Sequence, residues 1–325
     1  MNVAIDKNLM TGERDEFLAR VVWYPRFEKA YTAIKHILEN SGACEEALVL
    51  TGPVGVGKSF LLKRILSENP MIDTPEMTRR PVIYLRVPPE NTLGGMLLNL
   101  LDALGDPMPA SCSIGVRRLR LKKQVITQGT RMILLDESQS MVPRDGGDDK
   151  SANIKLLREL MDDLKIPIVI TGKRDVRAIL TADDALRSRV RCTLSLDYFS
   201  CKNINEALDF AEYMVSLLRI FPRQIHGFNF VEETEDGDIT LSLNIDVLVR
   251  FMLATNGCPR SIRYQMKSVL ETTTRDTVVT SAHFAGIFYM SDNLEKPLSF
   301  NPFDAPFAVI KKEAEKRGLY DSDAF

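Results

Sequence analysis

Two rhythms of apolar residues alternate through the N-terminal part of the chain. One is the short unbroken run: EALVL (46–50), PVIYLRV (81–87), RMILLDE (131–137), IPIVITG (166–172) and RCTLSL (191–196). Runs of this length between polar or turn-forming residues predict buried strands. The other rhythm is helical. After Pro25, the residues Phe27, Ala30, Tyr31, Ile34, Ile37 and Leu38 recur at three- and four-residue steps. FLLKRILSE (60–68), LGGMLLNLLDALG (93–105), RRLRLKKQVITQG (117–129), NIKLLRELMDDL (153–164) and part of 176–190 follow the same spacing. Strands alternating with helices predict an α/β domain, a parallel five-stranded sheet covered on both faces.

Beyond about residue 199 the pattern changes. INEALDFAEYMVSLLRI (204–220), IDVLVRFMLATNG (245–257), PRSIRYQMKSVLETTT (259–274) and SAHFAGIFYM (281–290) predict helices, and FNFVEETEDGDITLSL (228–243) a hairpin turning at Asp236-Gly237. The expected organisation is an N-terminal arm with a short helix (1–22), a nucleotide-binding α/β domain (23–198), a small, mainly helical lid (199–290) and an extended tail (291–325). AVIKKEAEKRG in that tail is a candidate terminal helix.

Composition narrows the possibilities. The 42 basic and 44 acidic residues give a net charge of −2, so any contact with nucleic acid must come from a local patch. Cys44, Cys112, Cys192, Cys201 and Cys258 are scattered, form no C-x-x-C pair and sit beside only three histidines, which disfavours a zinc site. The acids of the hairpin, Glu232, Glu233, Glu235, Asp236 and Asp238, read as a solvated tip. The N-terminus lacks the apolar core of a signal peptide. No apolar run approaches the roughly 20 residues of a membrane span, so no membrane partner is expected.

The candidate chemistry begins at Gly52, Pro53, Val54, Gly55, Val56, Gly57, Lys58 and Ser59, which satisfy G-x-x-x-x-G-K-[ST] between a predicted strand and a predicted helix. Glycines let backbone N–H groups turn onto phosphates, Lys58 adds charge, the Ser59 hydroxyl suits Mg²⁺, and the helix start adds its dipole. Gly52 to Phe60 are therefore the expected ATP cradle. In MILLDES, Asp136 and Glu137 end a buried strand at the edge where parallel sheets bind ligands. Asp136 is expected to support the metal and Glu137 to polarise the attacking water. Thr171 ends the next apolar run and is expected to touch water and γ-phosphate. Arg187, Arg189 and Arg191 cluster in LRSRVRC. Arg189, then Arg187, is the candidate finger that completes a neighbouring subunit's site. Arg260, in NGCPRSIR at a helix start, is expected to reach the phosphates from the lid.

Taken in this order, these elements resemble the AAA+ ATPases, and within them the TniB/TnsC family of transposition regulators. The resemblance covers roughly residues 20 to 290. It is carried by YPRFEKAYTAIKHI, RVPPENTLGGMLLNLLDALGDP, LLDESQS, NIKLLRELMDDLKIPIVITGKRDV and LRSRV. It implies an ATP- and Mg²⁺-dependent cytoplasmic bacterial protein that forms homo-oligomeric rings or filaments on double-stranded DNA. Its implied partners are a TniQ-type target-selection protein and a transposase. Two positions depart from the pattern: Thr171 stands where AAA+ proteins usually have asparagine, and Gln139 where many TniB-like chains have histidine. The latter points to a TnsC-like subgroup.

For DNA, GVRRLRLKK (115–123) has five positive charges and no acid, and Arg117, Arg118 and Lys122 are candidate phosphate contacts. The resemblance adds Asn91 and Thr92 as residues facing a ring's pore. Phe300, Phe303 and Phe307 are candidate anchors for a partner, the transposase by resemblance. The function expected is an AAA+ regulator of transposition. The alternatives are a replication initiator or helicase loader, and a nucleotide-gated scaffold with negligible turnover.

Overall fold

The structure, a computed structural model, describes residues 7–42, 46–89, 92–142, 148–233, 239–289 and 298–325. Asn91, Cys44 and the hairpin acids Glu235, Asp236 and Asp238 lie outside them. The chain forms two compact units. One is Glu28–Asp197; the other joins Met1–Phe27 to Tyr198–Phe325.

In chain order the strands are β1 (Ala47–Thr51), β2 (Ile72–Asp73), β3 (Thr78–Arg79), β4 (Val82–Arg86), β5 (Met132–Asp136), β6 (Ile168–Gly172), β7 (Val190–Ser195), β8 (Val231–Glu233) and β9 (Ile239–Leu241). The helices of the first unit are α2 (Pro25–Glu39, which begins in the other unit), α3 (Lys58–Glu68), α4 (Leu93–Ala103), α5 (Ile114–Thr127), α6 (Asp148–Leu164), α7 (Ala178–Ala182) and α8 (Asp184–Arg187). The second unit has α1 (Lys7–Ala19), α9 (Ile204–Ile220), α10 (Ile245–Thr255), α11 (Pro259–Thr272), α12 (Ser281–Tyr289) and α13 (Phe307–Lys316).

In the first unit the sheet runs β4-β5-β6-β1-β7, parallel throughout. Every residue of β1, β5 and β6 is buried, whereas the edge strand β7 is only partly covered. That is why the three central strands read as unbroken apolar runs. Leu97, Leu100 and Leu101 of α4, Leu121 and Val125 of α5, and Leu157 and Leu160 of α6 share one core cluster with Ile133, Leu135, Ile168 and Ile170 of the sheet. The strand order places the end of β6 between those of β1 and β5. The loop after β1 and the carboxylates after β5 therefore come out on one edge, one strand apart.

The second unit is mainly helical, with one two-stranded hairpin, β8–β9. Helix α1 packs within it. Phe17 of α1 is buried edge-on against Phe221, and Arg263 donates to Phe17 O and Leu18 O at 2.7 and 2.9 Å, closing the helix's last carbonyls. Tyr24 packs on Phe199 and Tyr213. The tail is ordered against the same unit as well. Phe303, expected as a partner anchor, is buried between Phe251 and Phe284, at ring separations of 5.2 and 5.5 Å. Arg250 holds Pro302 O and Ala305 O. Phe303 is thus a core residue of its own chain. Phe307, at the start of α13, remains exposed. No helix among the described residues is long and apolar enough to cross a membrane.

Candidate nucleotide site

The loop after β1 is built by close backbone approach. The Gly52 amide donates to Gly172 O at the end of β6, 3.1 Å away. A Cβ on Gly52 would lie 2.0 Å from Leu196 O, so no side chain fits there. Gly55 and Gly57 have φ of 91° and 100°, in the left-handed region that penalises a Cβ. Gly57 is also the N-cap of α3, and its carbonyl accepts from Leu61. The first turn of α3 thus begins directly at the loop, and a helix start of this kind favours an anion through its dipole. Val56 is buried and anchors the loop. Val54 and Phe60 stand exposed on its rim. Lys58 is buried and donates from Nζ to Gly52 O (2.6 Å) and Pro53 O (2.8 Å), so its ammonium lies within the curl of the loop. Ser59, half-buried, follows on the first turn of α3.

Across the strand order, Asp136 closes β5 at 1% exposure. Its Oδ1 accepts from the Glu137 amide (2.9 Å) and the Thr171 hydroxyl (2.8 Å), and its Oδ2 from the Tyr84 hydroxyl (2.9 Å). Burial pushes the Tyr84 phenol up to about 12, reinforced by the Asp136 charge, so Tyr84 keeps its proton and remains a donor. Thr171 is fully buried, and its hydroxyl is engaged with Asp136. That bond fixes the orientation of the carboxylate.

Glu137 takes a left-handed backbone (φ 56°, ψ 36°) as the chain leaves the strand for a 3-10 turn, Ser138–Met141. That conformation costs a residue with a Cβ roughly 1–2 kcal/mol, and it turns Glu137 out of the buried line of β5. Its Oε2 accepts from the Gln139 amide at 2.5 Å. A pocket of about 520 Å³ opens beside it, lined by Arg86, Val87, Pro88, Pro89, Glu137, Gln139 and Ser140.

A glycine-rich loop, a hydroxyl on the helix that follows it, a fixed carboxylate and a second acid thus share one sheet edge. A family model described as "Bacterial TniB protein" matches residues 17–196. This chain belongs to the TniB family. Solved structures of low sequence identity share its fold. The Aeropyrum pernix ORC1 protein in complex with DNA is similar at 15% identity and TM-score 0.55, covering 94% of this chain and 87% of that one. The ORC2 protein of the same organism, in ADPNP–ADP complexes, matches at 12% identity and TM-score 0.52, covering 90% and 70%. A Walker-type ATPase of Pyrococcus abyssi matches at 16% identity and TM-score 0.50, covering 82% and 72%. No curated protein matches.

In this TniB-family chain the candidate finger arginines differ in freedom. Arg189 donates to Asp162 (2.7 Å) and Ala185 O (2.5 Å) and is held inside its own unit. Arg187 is largely exposed and pairs with the exposed Asp184 one turn away. Arg191 bonds Glu46 and His36. Arg260 is exposed at the second position of α11, in the other unit.

The basic helix is less available than its sequence suggests. Arg118 pairs with Glu159 (2.9 Å) and Lys122 with Asp163, two matched rungs between α5 and α6. Arg117 donates to Ser111 O and Gly94 O, both at 3.4 Å, and to Ala110 O. The outer face of α5 instead exposes Ile114, Val116, Leu119 and Ile126. Thr92 is exposed, and its hydroxyl caps α4 by accepting from Gly95 at 3.1 Å.

Sequence reasoning missed Tyr84. The signal was slight: a tyrosine among the aliphatic residues Val82, Ile83 and Leu85 of the strand. Its meaning depends on the β4–β5 register, which sets Arg86 opposite Asp136 and so turns Tyr84 to the same face.

Proposed function

We propose that this chain is an ATP-hydrolysing regulator of DNA transposition. In its ATP state it self-associates on duplex DNA and joins a TniQ-type target-selection factor to the transposase. Lys58, Ser59, Asp136 and Glu137 carry the ATPase half of this proposal, because their loop, helix start and strand end meet on one sheet edge. The match to the TniB family over more than half of the chain supports the transposition half. The DNA, TniQ and transposase partners rest on the resemblance of the sequence to that family.

Substrate ATP would lie with its phosphates against the amides of the Gly52–Ser59 loop, and Lys58 would exchange its carbonyl partners for the β/γ oxygens. Mg²⁺ takes hard oxygen ligands. The Ser59 hydroxyl and the Asp136 carboxylate are of that kind, and hydrogen bonds from Tyr84 and Thr171 aim the carboxylate. When bound, the ion would neutralise charge building between the β- and γ-phosphates. Glu137 draws a proton from water as its oxygen attacks the γ-phosphorus and the bond to the departing ADP oxygen breaks. Arg187, the more exposed of the two candidates, is the finger offered to a neighbouring copy, with Arg189 as second choice.

DNA is held through its phosphates, so affinity carries no sequence readout and suits a site chosen by another factor. Thr92, Arg117, Arg118 and Lys122 are the proposed contacts on described residues, and Asn91 adjoins them in sequence. Arg118 and Lys122 would have to leave Glu159 and Asp163, which makes binding sensitive to salt and to the charge on α6. Phe307 is the exposed aromatic of the tail offered to the transposase.

Glu137→Gln and Lys58→Ala test the core of this. With duplex DNA and ATP, Glu137→Gln should accumulate persistent ATP-bound oligomers on DNA, visible by electron microscopy, whereas Lys58→Ala should form none. Wild-type hydrolysis by Glu137→Gln would remove Glu137 as the base. A DNA-independent, monomeric ATPase would overturn the transposition proposal.

A further inference from the structure

We propose that Gln139 is a positioning residue for hydrolysis: its carboxamide ties the Glu137 carboxylate to the end of β6, so that the base and the strand carrying Thr171 are set as one body. This rests on Glu137 being the base, as proposed above.

Three observations carry it. First, the carboxamide is used at both ends. Its Nε2 donates to Glu137 Oε2 at 2.5 Å, and its Oε1 accepts from the Lys173 amide at 3.3 Å, just past β6. A carboxamide can donate at one end and accept at the other in this way without carrying charge. Second, the place for it is built. A Cβ on Gly172 would lie 2.7 Å from Gln139 Oε1 and 3.2 Å from the Gln139 amide nitrogen. Glycine at 172 is therefore what admits the carboxamide, and not a demand of its backbone: Gly172 is absent from the glycines with positive φ. Third, the root of Gln139 is fixed. Ser138 is fully buried and donates to Leu135 O, and Gln139 O accepts from the Val142 amide.

Glu137 itself is half-buried at the mouth of the pocket with Arg86 and Pro88. Without a partner its flexible side chain would sample that space. With Oε2 held, the other oxygen has a defined position from which to accept water's proton. Gln139 touches the base and not the reacting atoms, so its effect belongs in turnover and not in nucleotide affinity. A positioned general base contributes roughly 10²–10⁴-fold. Misaiming it should forfeit part of that, about 10- to 100-fold in kcat.

The test compares Gln139→Met, which keeps volume but loses both hydrogen bonds, with Gly172→Ala, which leaves Gln139 in place but crowds its carboxamide out. The full-length protein is assayed with duplex DNA for ATP turnover, for binding of a fluorescent ATP analogue, and for thermal melting. Each single variant should lose about 10- to 100-fold in kcat, with Kd for the analogue within about twofold of wild type. The double variant should fall no further than the worse single, because both remove one interaction. Gln139→Asn, one methylene too short to span both partners, should behave like Gln139→Met and serves if the latter melts early. Wild-type kcat in Gln139→Met or Gln139→Asn, or losses that multiply in the double variant, overturns the proposal. Glu137→Gln is run beside them. If it hydrolyses ATP normally, the base assignment falls; if it is inactive while the Gln139 variants are normal, only the role of Gln139 falls.

Discussion

A carboxylate that accepts three hydrogen bonds at 1% exposure has few ways to rotate, and Asp136 is in that position. Removing one donor leaves a buried acceptor short of a partner, at a cost of about 1–3 kcal/mol. Thr171→Val should therefore lower the unfolding free energy by about that amount in a denaturant titration, and Thr171→Ser should keep most of it. Equal stability of Thr171→Val and wild type would show that the bond contributes nothing. Gly52 sets a harsher limit. Its missing Cβ would lie 2.0 Å from a backbone oxygen, so Gly52→Ala should abolish binding of a fluorescent ATP analogue, even in protein that remains folded. The Gly52–Ser59 loop was legible because its motif is contiguous in the chain. Tyr84 and Gln139 were not, because their partners are fixed by strand register and chain packing across dozens of positions.

At the scale of elements, α1 shows how faint a docking signal can be. Among its described side chains from Gly12 to Ala19 only Phe17 is buried, so the sequence shows almost no apolar face. What holds the helix is polar as well as apolar. Burial pushes the Glu13 carboxyl up, but hydrogen bonds and charge from Arg223 and Arg275 outweigh it and hold it below its ordinary value. A carboxylate depressed by folding stabilises above its unfolded value, and that contribution is lost as pH falls through the depressed one. Protection of the α1 amides from hydrogen exchange should thus weaken below about pH 4.5 in wild type. It should be weaker and pH-independent over that range in Glu13→Gln. Phe17→Ala should cost about 3–5 kcal/mol, read by denaturation. The helix α5 errs in the opposite direction. Its basic string stood out in the sequence, yet the acids that neutralise it lie some 41 positions away on α6.

The site on one chain is incomplete if Arg187 belongs to a neighbour's chemistry, and that is a property of the whole assembly. A finger supplied in trans is worth about 10³–10⁵-fold. Arg187→Ala and Lys58→Ala should each be nearly inactive alone. Mixed in equal amounts with DNA, they should regain a measurable share of wild-type turnover, since the Lys58→Ala chain still offers its arginine to an intact cradle. No recovery on mixing, with oligomers formed, would place the needed arginine elsewhere, Arg189 being the next to test.

The sequence alone determined the α/β class, the five strands, the glycine-rich loop between strand and helix and the acidic strand end. Each of these is local: a run of apolar residues, or a motif whose atoms act together because they are neighbours in the chain. Only the tertiary structure decided that Thr171 donates to Asp136, that Arg189 is largely covered while Arg187 is exposed, that Phe303 is core, and that Gln139 bridges two strand ends. Those depend on strand order, register and helix packing, which bring distant residues to within 3 Å or so of one another, and no periodicity in the chain encodes which ones meet.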